Sequence, residues 1–421
     1  MTTIRDSRTP QDLVSELFNT LQTGDPSRDE NTRQNALTVS SLLTASLQSP
    51  RELAFEICFM PAYSACCRAG IHLRLFEAIE RSAGSITASE LATQTGSERL
   101  LIVRLLRVIT AMGLVSEVGL ETYHALPTTQ VMASPMIRAA YQHFWDQGLS
   151  SLLHLPTYLT AHGLRCPTDA RDGLFQHAFS TSLDAFSYWQ TQPPPRRALD
   201  NFNFLMTCIR GEEPAWLSWF PVTEQILEGA RPGGVVLVDV GGGRGHDVGA
   251  FKRKMGLKFP EGGRVVLEDL PAVLEDTGKL EEGVESVEYD FFTPQMVLGA
   301  RIYYYAHILH DWSDEACARI LRGAKPAMEP GYSKIFLYEF ILPDTGCSLL
   351  QAGFDIQMMG MHAGMERTRA QWTRLLEGEG FSVVDFWMAP GRDGEGIVEA
   401  ELKDSTSSSK DIGISDLQAV K

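Results

Sequence analysis

Hydrophobic and polar positions follow different rules in the two halves of the chain. From Arg231 onward, short apolar runs with little polar alternation recur between amphipathic stretches. The runs predict buried strands at Val235 to Val240, Val265 to Leu267, Ile302 to Tyr305 and Lys334 to Glu339, and a further strand at the more polar Val284 to Tyr289. Between them the spacing predicts helices through about Lys258, from Glu315 to Met328, through Met358 to Met361 and from Gln371 to Glu379. Phe381 to Phe386 and Gly396 to Leu402 finish the sheet as an edge pair. Strands alternating with helices in this way make a doubly wound, Rossmann-like α/β sheet, assigned to residues 231–402.

Residues 1–138 read as a mainly helical domain. Leu13, Val14, Leu17, Phe18 and Leu21 give one amphipathic helix, a short docking arm, and a second helical pattern runs from Asn35 to Leu47. Phe55 to Ala78 is apolar on nearly all sides, so it must be buried in its own domain or against a partner chain. Leu75 to Ile79 reads as a helix end. Thr87 and Glu90 have the spacing of a capping box, and Ser97 is expected to cap a third helix striped by Leu101, Leu105, Leu106 and Ile109. Two short strands around Gly119 follow, which completes a winged-helix-like pattern. Such a pattern either binds DNA or serves as a dimerisation scaffold. Residues 139–230 form a helical linker rich in rings, among them Tyr141, Trp145, Tyr158, Trp189, Phe204 and Trp216, suited to a substrate-pocket wall or to plain core. Residues 403–421, rich in Ser and charge, are expected to be a disordered tail.

Charge decides between some of these alternatives. The net charge of −16 opposes any phosphate backbone, so no nucleic acid is expected as a partner and the dimerisation reading is preferred. No apolar stretch is long enough for a membrane span, and the first residues do not open a signal peptide, which points to a cytoplasmic protein with no membrane partner. The 7 cysteines are scattered and include no Cys-x-x-Cys pair, so neither disulfides nor a metal site is expected.

The candidate chemistry starts where the strand at Val235 to Val240 ends. Gly241, Gly243 and Gly245 follow it at even spacing, unlike the Gly-x-Gly-x-x-Gly of dinucleotide sites, with His246 where a third glycine would stand. Asp239 adds an acid beside the loop, which would repel a pyrophosphate and suits a cation. S-adenosylmethionine, with an ammonium, a sulfonium and no phosphate, matches that pair of features. Glu268 and Asp269, at the end of the second strand, are placed for a ribose diol. Asp290, Phe291 and Phe292, after the third, are placed for an adenine amino group and ring. His310 follows the fourth strand and falls near the same crevice, with His307 its competitor in sequence.

Six motifs in order carry a family resemblance: Asp239-x-Gly241-x-Gly243-x-Gly245, Glu268-Asp269-Leu270-Pro271, Tyr289-Asp290-Phe291-Phe292, Leu309-His310-Asp311-Trp312-Ser313-Asp314, Glu339-Phe340-Ile341-Leu342-Pro343 and Glu366-Arg367-Thr368. Together they resemble the caffeate-type O-methyltransferases of fungi and plants, class I S-adenosylmethionine enzymes, over nearly the whole chain. The resemblance implies a methyltransferase sheet with an N-terminal dimerisation domain, a homodimer, and a small aromatic or polyketide-derived substrate. It also implies His310 as general base with Glu339 and Glu366 flanking it. The chain departs from the family at Ala306, where relatives commonly carry a basic residue. Some relatives keep this fold and bind S-adenosylmethionine, yet catalyse dehydration or pericyclic cyclisation without methyl transfer. In that alternative His310 and Asp311 would act on a tautomer or leaving hydroxyl.

Overall fold

A computed structural model describes residues 8–193, 197–211, 214–275, 277–392 and 394–403. The expected tail lies outside the described residues apart from Lys403. Two compact units emerge, one formed by Leu155–Ala185 with the chain from Arg210 onward, the other by the chain up to His154 with Phe186–Ile209. The ring-rich segment is therefore shared between the units.

In the unit up to His154, a three-stranded sheet forms from β1 (Ser85–Thr87), β2 (Ser116–Gly119) and β3 (Thr122–His124) in the order β1-β3-β2. Thr87 closes the expected capping box with Glu90 at the start of helix Ala88–Thr95. Ser97 does not cap the next helix, Arg99–Ala111, which has Glu98 at that position with no side-chain cap. Its buried stripe is also displaced. Ile102, Val103, Leu106 and Ile109 face the core, whereas Leu101 is 44% exposed, because that face is the one turned to Phe76, Leu91 and Tyr123. The apolar stretch expected to run on to Ala78 breaks at Arg74, whose φ of 55° separates helix Pro50–His72 from helix Leu75–Glu80. The first half of Pro50–His72 leaves Phe55, Ile57, Phe59 and Met60 exposed. The rings of Phe186, Trp189 and Phe202 pack with His143 as core, and Trp189 donates to Gln147 at 2.9 Å.

The other unit contains the large sheet. Its strands are β4 (Val235–Val240), β5 (Arg264–Asp269), β6 (Val284–Glu288), β7 (Ile302–Ala306), β8 (Lys334–Leu342), β9 (Arg367–Thr368), β10 (Phe381–Met388) and β11 (Glu395–Leu402). The order is β10-β11-β8-β7-β4-β5-β6, with β9 beside β8. From β8 to β6 the pairs are parallel, whereas β11 runs antiparallel to both β8 and β10. Every residue of β4 and β7 is buried, because each face carries its own apolar layer. Val238, Val266, Tyr303 and Ile335 belong to one layer, and Leu237, Val265, Tyr304 and Phe336 to the other. That double covering is why these strands read as unbroken apolar runs. The chain winds outward in opposite senses from β4 and β7, so a crevice opens beyond their carboxyl ends. In open α/β sheets that switch point is where ligands bind.

Candidate active site

The glycine loop leaves β4 at the switch point. Gly241, Gly243 and Gly245 have φ of 71°, 59° and 73°, a region costly for side chains with a Cβ. Space is as restrictive as conformation, since a Cβ at Gly241 would stand 2.7 Å from Ile308 Cδ1. The Gly241 and Gly242 amides donate to the Glu268 carbonyl at 2.8 and 3.2 Å, which ties the loop to the end of β5.

The two acids at that strand end part company, as alternation along a strand requires. Asp269 turns to the loop and accepts from the Gly243 amide at 2.8 Å. The side chain of Glu268 is fully buried, accepts from Gln295 Nε2 at 2.7 Å, and lies among Tyr289, Tyr303 and Tyr305, with burial raising its pKa to about 7. Only its carbonyl serves the loop. Asp290 is exposed and accepts from the Phe292 amide at 3.0 Å. Phe291 comes against Gly241, whereas Phe292 packs edge-on to Trp312 with ring centroids 4.7 Å apart.

Asp239 is completely buried beneath the loop. Apart from a weak approach by the Val248 amide, its two carboxylate oxygens have no hydrogen-bond partner. Burial, then the Asp247 charge, push its pKa well up, against the pull of Arg210. Arg210 pairs with Asp247 and donates to the Ala306 carbonyl at 3.3 Å. Trp216 and Tyr304 donate to the other Asp247 oxygen at 2.9 and 3.1 Å. A guanidinium from a distant helix thus reaches the strand end at which the sequence lacks a basic residue.

His310 sits beyond β7 on a loop held from behind. Glu339 Oε1, on β8, accepts from the Ile308 and Leu309 amides at 3.2 and 2.9 Å. The buried Arg367 donates to the Leu309 and Trp312 carbonyls at 3.0 and 2.7 Å. His310 Nδ1 lies 2.8 Å from Glu366 Oε1 and 3.8 Å from Glu339 Oε2. On the opposite side, Nε2 lies 3.7 Å from Asp311, which is 3.8 Å from His362. Burial lowers the pKa of His310, but Glu366, Glu339 and Asp311 outweigh it and carry the group up to about 10. Burial pushes Glu339 up to about 7. His307 moves the other way. Burial, then the charges of His310 and Arg210, hold it well below the usual histidine range, in the neutral form. Nδ1 of His310 is thus held by a carboxylate, leaving Nε2 to exchange a proton with a bound molecule, the division of labour of a catalytic triad.

Residues 218–382 match the O-methyltransferase domain, and residues 55–134 match the O-methyltransferase dimerisation domain. The O-methyltransferase penC of Penicillium thymicola is 40% identical over 373 residues, 88% of this chain and 92% of that protein. The chain belongs to the S-adenosylmethionine-dependent O-methyltransferases. Solved relatives of this O-methyltransferase include LepI in complex with SAM, at 29% identity and a TM-score of 0.81 over 94% of this chain and 100% of that one. OxaC in complex with SAH and oxaline has 26% identity and a TM-score of 0.79 over 94% of this chain and 99% of that one. A chain described as a pericyclic reaction enzyme has 29% identity and a TM-score of 0.80, covering 93% of this chain and 100% of that one.

The residues at the switch point of this O-methyltransferase fit its cofactor. Asp239 offers buried, unpartnered oxygens to a cation, and Gly243 leaves open space where a Cβ would otherwise stand. Asp269 and Phe291 border the same loop. Arg210 is the residue that motif reading missed, since no short pattern links it to Ala306. The signal was the lost base at 306, which asks for a cation from elsewhere. Among the described residues no helix is long and apolar enough to cross a membrane.

Proposed function

We propose that this enzyme methylates a phenolic or enolic hydroxyl of a secondary metabolite, with His310 as general base. The observation that carries this reading is the His310 Nδ1 to Glu366 Oε1 contact of 2.8 Å, which turns Nε2 toward the acceptor. S-adenosylmethionine supplies an electrophilic methyl group on a sulfonium. Asp239, the glycine loop and Asp269 would hold that cofactor, and Arg210 would suit its carboxylate. The acceptor proton passes to Nε2, and Glu366 and Glu339 stabilise the imidazolium that forms. A base near 10 is matched to phenols, whose free pKa is also about 10. A cation held beside His310 would oppose its imidazolium form and favour the neutral base.

The exposed Phe55, Ile57, Phe59 and Met60 on helix Pro50–His72, within the matched dimerisation domain, support a homodimer built on the winged-helix-like scaffold. The seven free cysteines suit the cytoplasm. A second reading, cyclisation or dehydration without methyl transfer, draws on the same high pKa, since a protonated His310 beside Asp311 is a general acid. Liquid chromatography and mass spectrometry of phenolic and polyketide acceptors incubated with enzyme and S-adenosylmethionine tests the first reading. It expects methylated product with an equal amount of S-adenosylhomocysteine. Isomerised or dehydrated product with no S-adenosylhomocysteine would replace it by the second.

A further inference from the structure

A third side chain, His307, meets the base and its flanking carboxylate at the ends of β7 and β8. His307, His310 and Glu339 each present one ligand atom, and these atoms lie within 4.8 Å of one another. The Ile308 and Leu309 amides occupy Glu339 Oε1. Its Oε2 is buried without a hydrogen-bond partner, 3.9 Å from His307 Nδ1 and 3.8 Å from His310 Nδ1. The backbone at His307 has φ of 54°, a left-handed conformation that a residue with a Cβ keeps only where its surroundings impose it.

We propose that His307, His310 and Glu339 capture a divalent ion of the zinc class, which takes the place of the Nδ1 proton of His310. Two imidazole nitrogens and a carboxylate oxygen suit zinc, cobalt or nickel, whereas magnesium and calcium require oxygen donors. With bonds of roughly 2.0–2.1 Å, ligand atoms around a tetrahedral zinc stand about 3.4 Å apart. The two separations from Glu339 Oε2 exceed that value by about half an ångström, and the two histidine nitrogens, within 4.8 Å of each other, must also draw together. Glu366 Oε1, 2.8 Å from His310 Nδ1, is the acceptor whose hydrogen bond the ion would replace. The amides on Oε1 already orient the Glu339 carboxylate, the service that outer partners perform at metal sites.

The chemical consequence is inhibition. With the ion on Nδ1, a neutral His310 carries its one proton on Nε2, so the proton has moved across the ring and the lone pair facing the acceptor is gone. An imidazolium would instead release one proton to solvent and reach the same state. Metal capture therefore removes the base.

The test reads the ion directly and does not depend on the methyl-transfer reading. Chelator-treated full-length enzyme is titrated with Co2+, watched through its visible absorption, and then with Zn2+ as competitor. One equivalent of Co2+ is expected to give the intense bands of a four- or five-coordinate ion, displaced by Zn2+ and not by Mg2+. His307→Asn, or the nearly isosteric Glu339→Gln should the first variant fail to fold by circular dichroism, is expected to weaken Co2+ binding roughly 100-fold, at least what an outer partner contributes. Absence of the bands, or binding unchanged in a folded variant, would overturn the proposal.

Discussion

The behaviour of His310 turns on which of two opposing effects is larger. Burial alone would make it a weak base, as it does His307, yet the carboxylates of Glu366, Glu339 and Asp311 reverse the shift. The acid limb of the kcat/KM profile, which reports the free enzyme, is therefore expected well above 6.5 and toward 10 in metal-free buffer. Glu366→Gln should move that limb down; a limb left in place would show that Glu366 does not set it. Stability follows the same sign. The folded pKa of His310 is raised, so its contribution is complete below about 6.5 and is lost as pH rises toward about 10. A second test concerns Arg210 and Asp247, whose side chains are 16% and 2% exposed. Arg210→Gln leaves a buried acid unpaired and should cost about 3 kcal/mol in denaturant unfolding. Adding Asp247→Asn should recover much of that loss, and simple additivity would refute the coupling.

Elements rather than single residues bring the site together. β4, β7 and β8 deliver Asp239, His310 and Glu339, and their parallel register explains why strand ends far apart in sequence converge. These strands were legible because both faces are buried, so nothing polar interrupts the runs until Asp239 and the glycines. The convergence of Glu366 on His310 was not legible from periodicity, since β9 is only two residues long and no local pattern sets its direction. Family resemblance alone pointed to it. The same limit explains Glu268, whose neighbour Asp269 takes the loop while its own side chain turns to the opposite face. It also explains the displaced stripe of Arg99–Ala111, where several leucines offered two plausible faces and tertiary packing chose one. Gly364 provides an element-scale test, because a Cβ there would fall 2.1 Å from the His310 carbonyl. Gly364→Ala should push the His310 loop outward, cost about 1–3 kcal/mol by overpacking and lower kcat, while S-adenosylmethionine affinity measured by calorimetry stays near wild type. Unchanged kcat would mean the loop adapts freely.

At the scale of the molecule, composition had excluded more than it identified. The chain's charge of −16 favours dimerisation over DNA binding for the helical domain, and residues 55–134 match a dimerisation domain. The exposed apolar half of helix Pro50–His72 is the feature a second copy would cover. Phe59→Asp is expected to halve the mass seen by light scattering; an unchanged mass would remove this helix from the interface.

The central claim is that a methyl group moves and that His310 takes the proton. It is tested most directly with S-adenosylmethionine carrying a trideuteriomethyl group, supplied to wild type and to His310→Ala. Wild-type product should carry the label on oxygen, and the variant should lose roughly 10²–10⁴ in kcat while binding the cofactor normally. Unlabelled, isomerised product beside intact cofactor would contradict the account, as would full labelling by the variant at the wild-type rate.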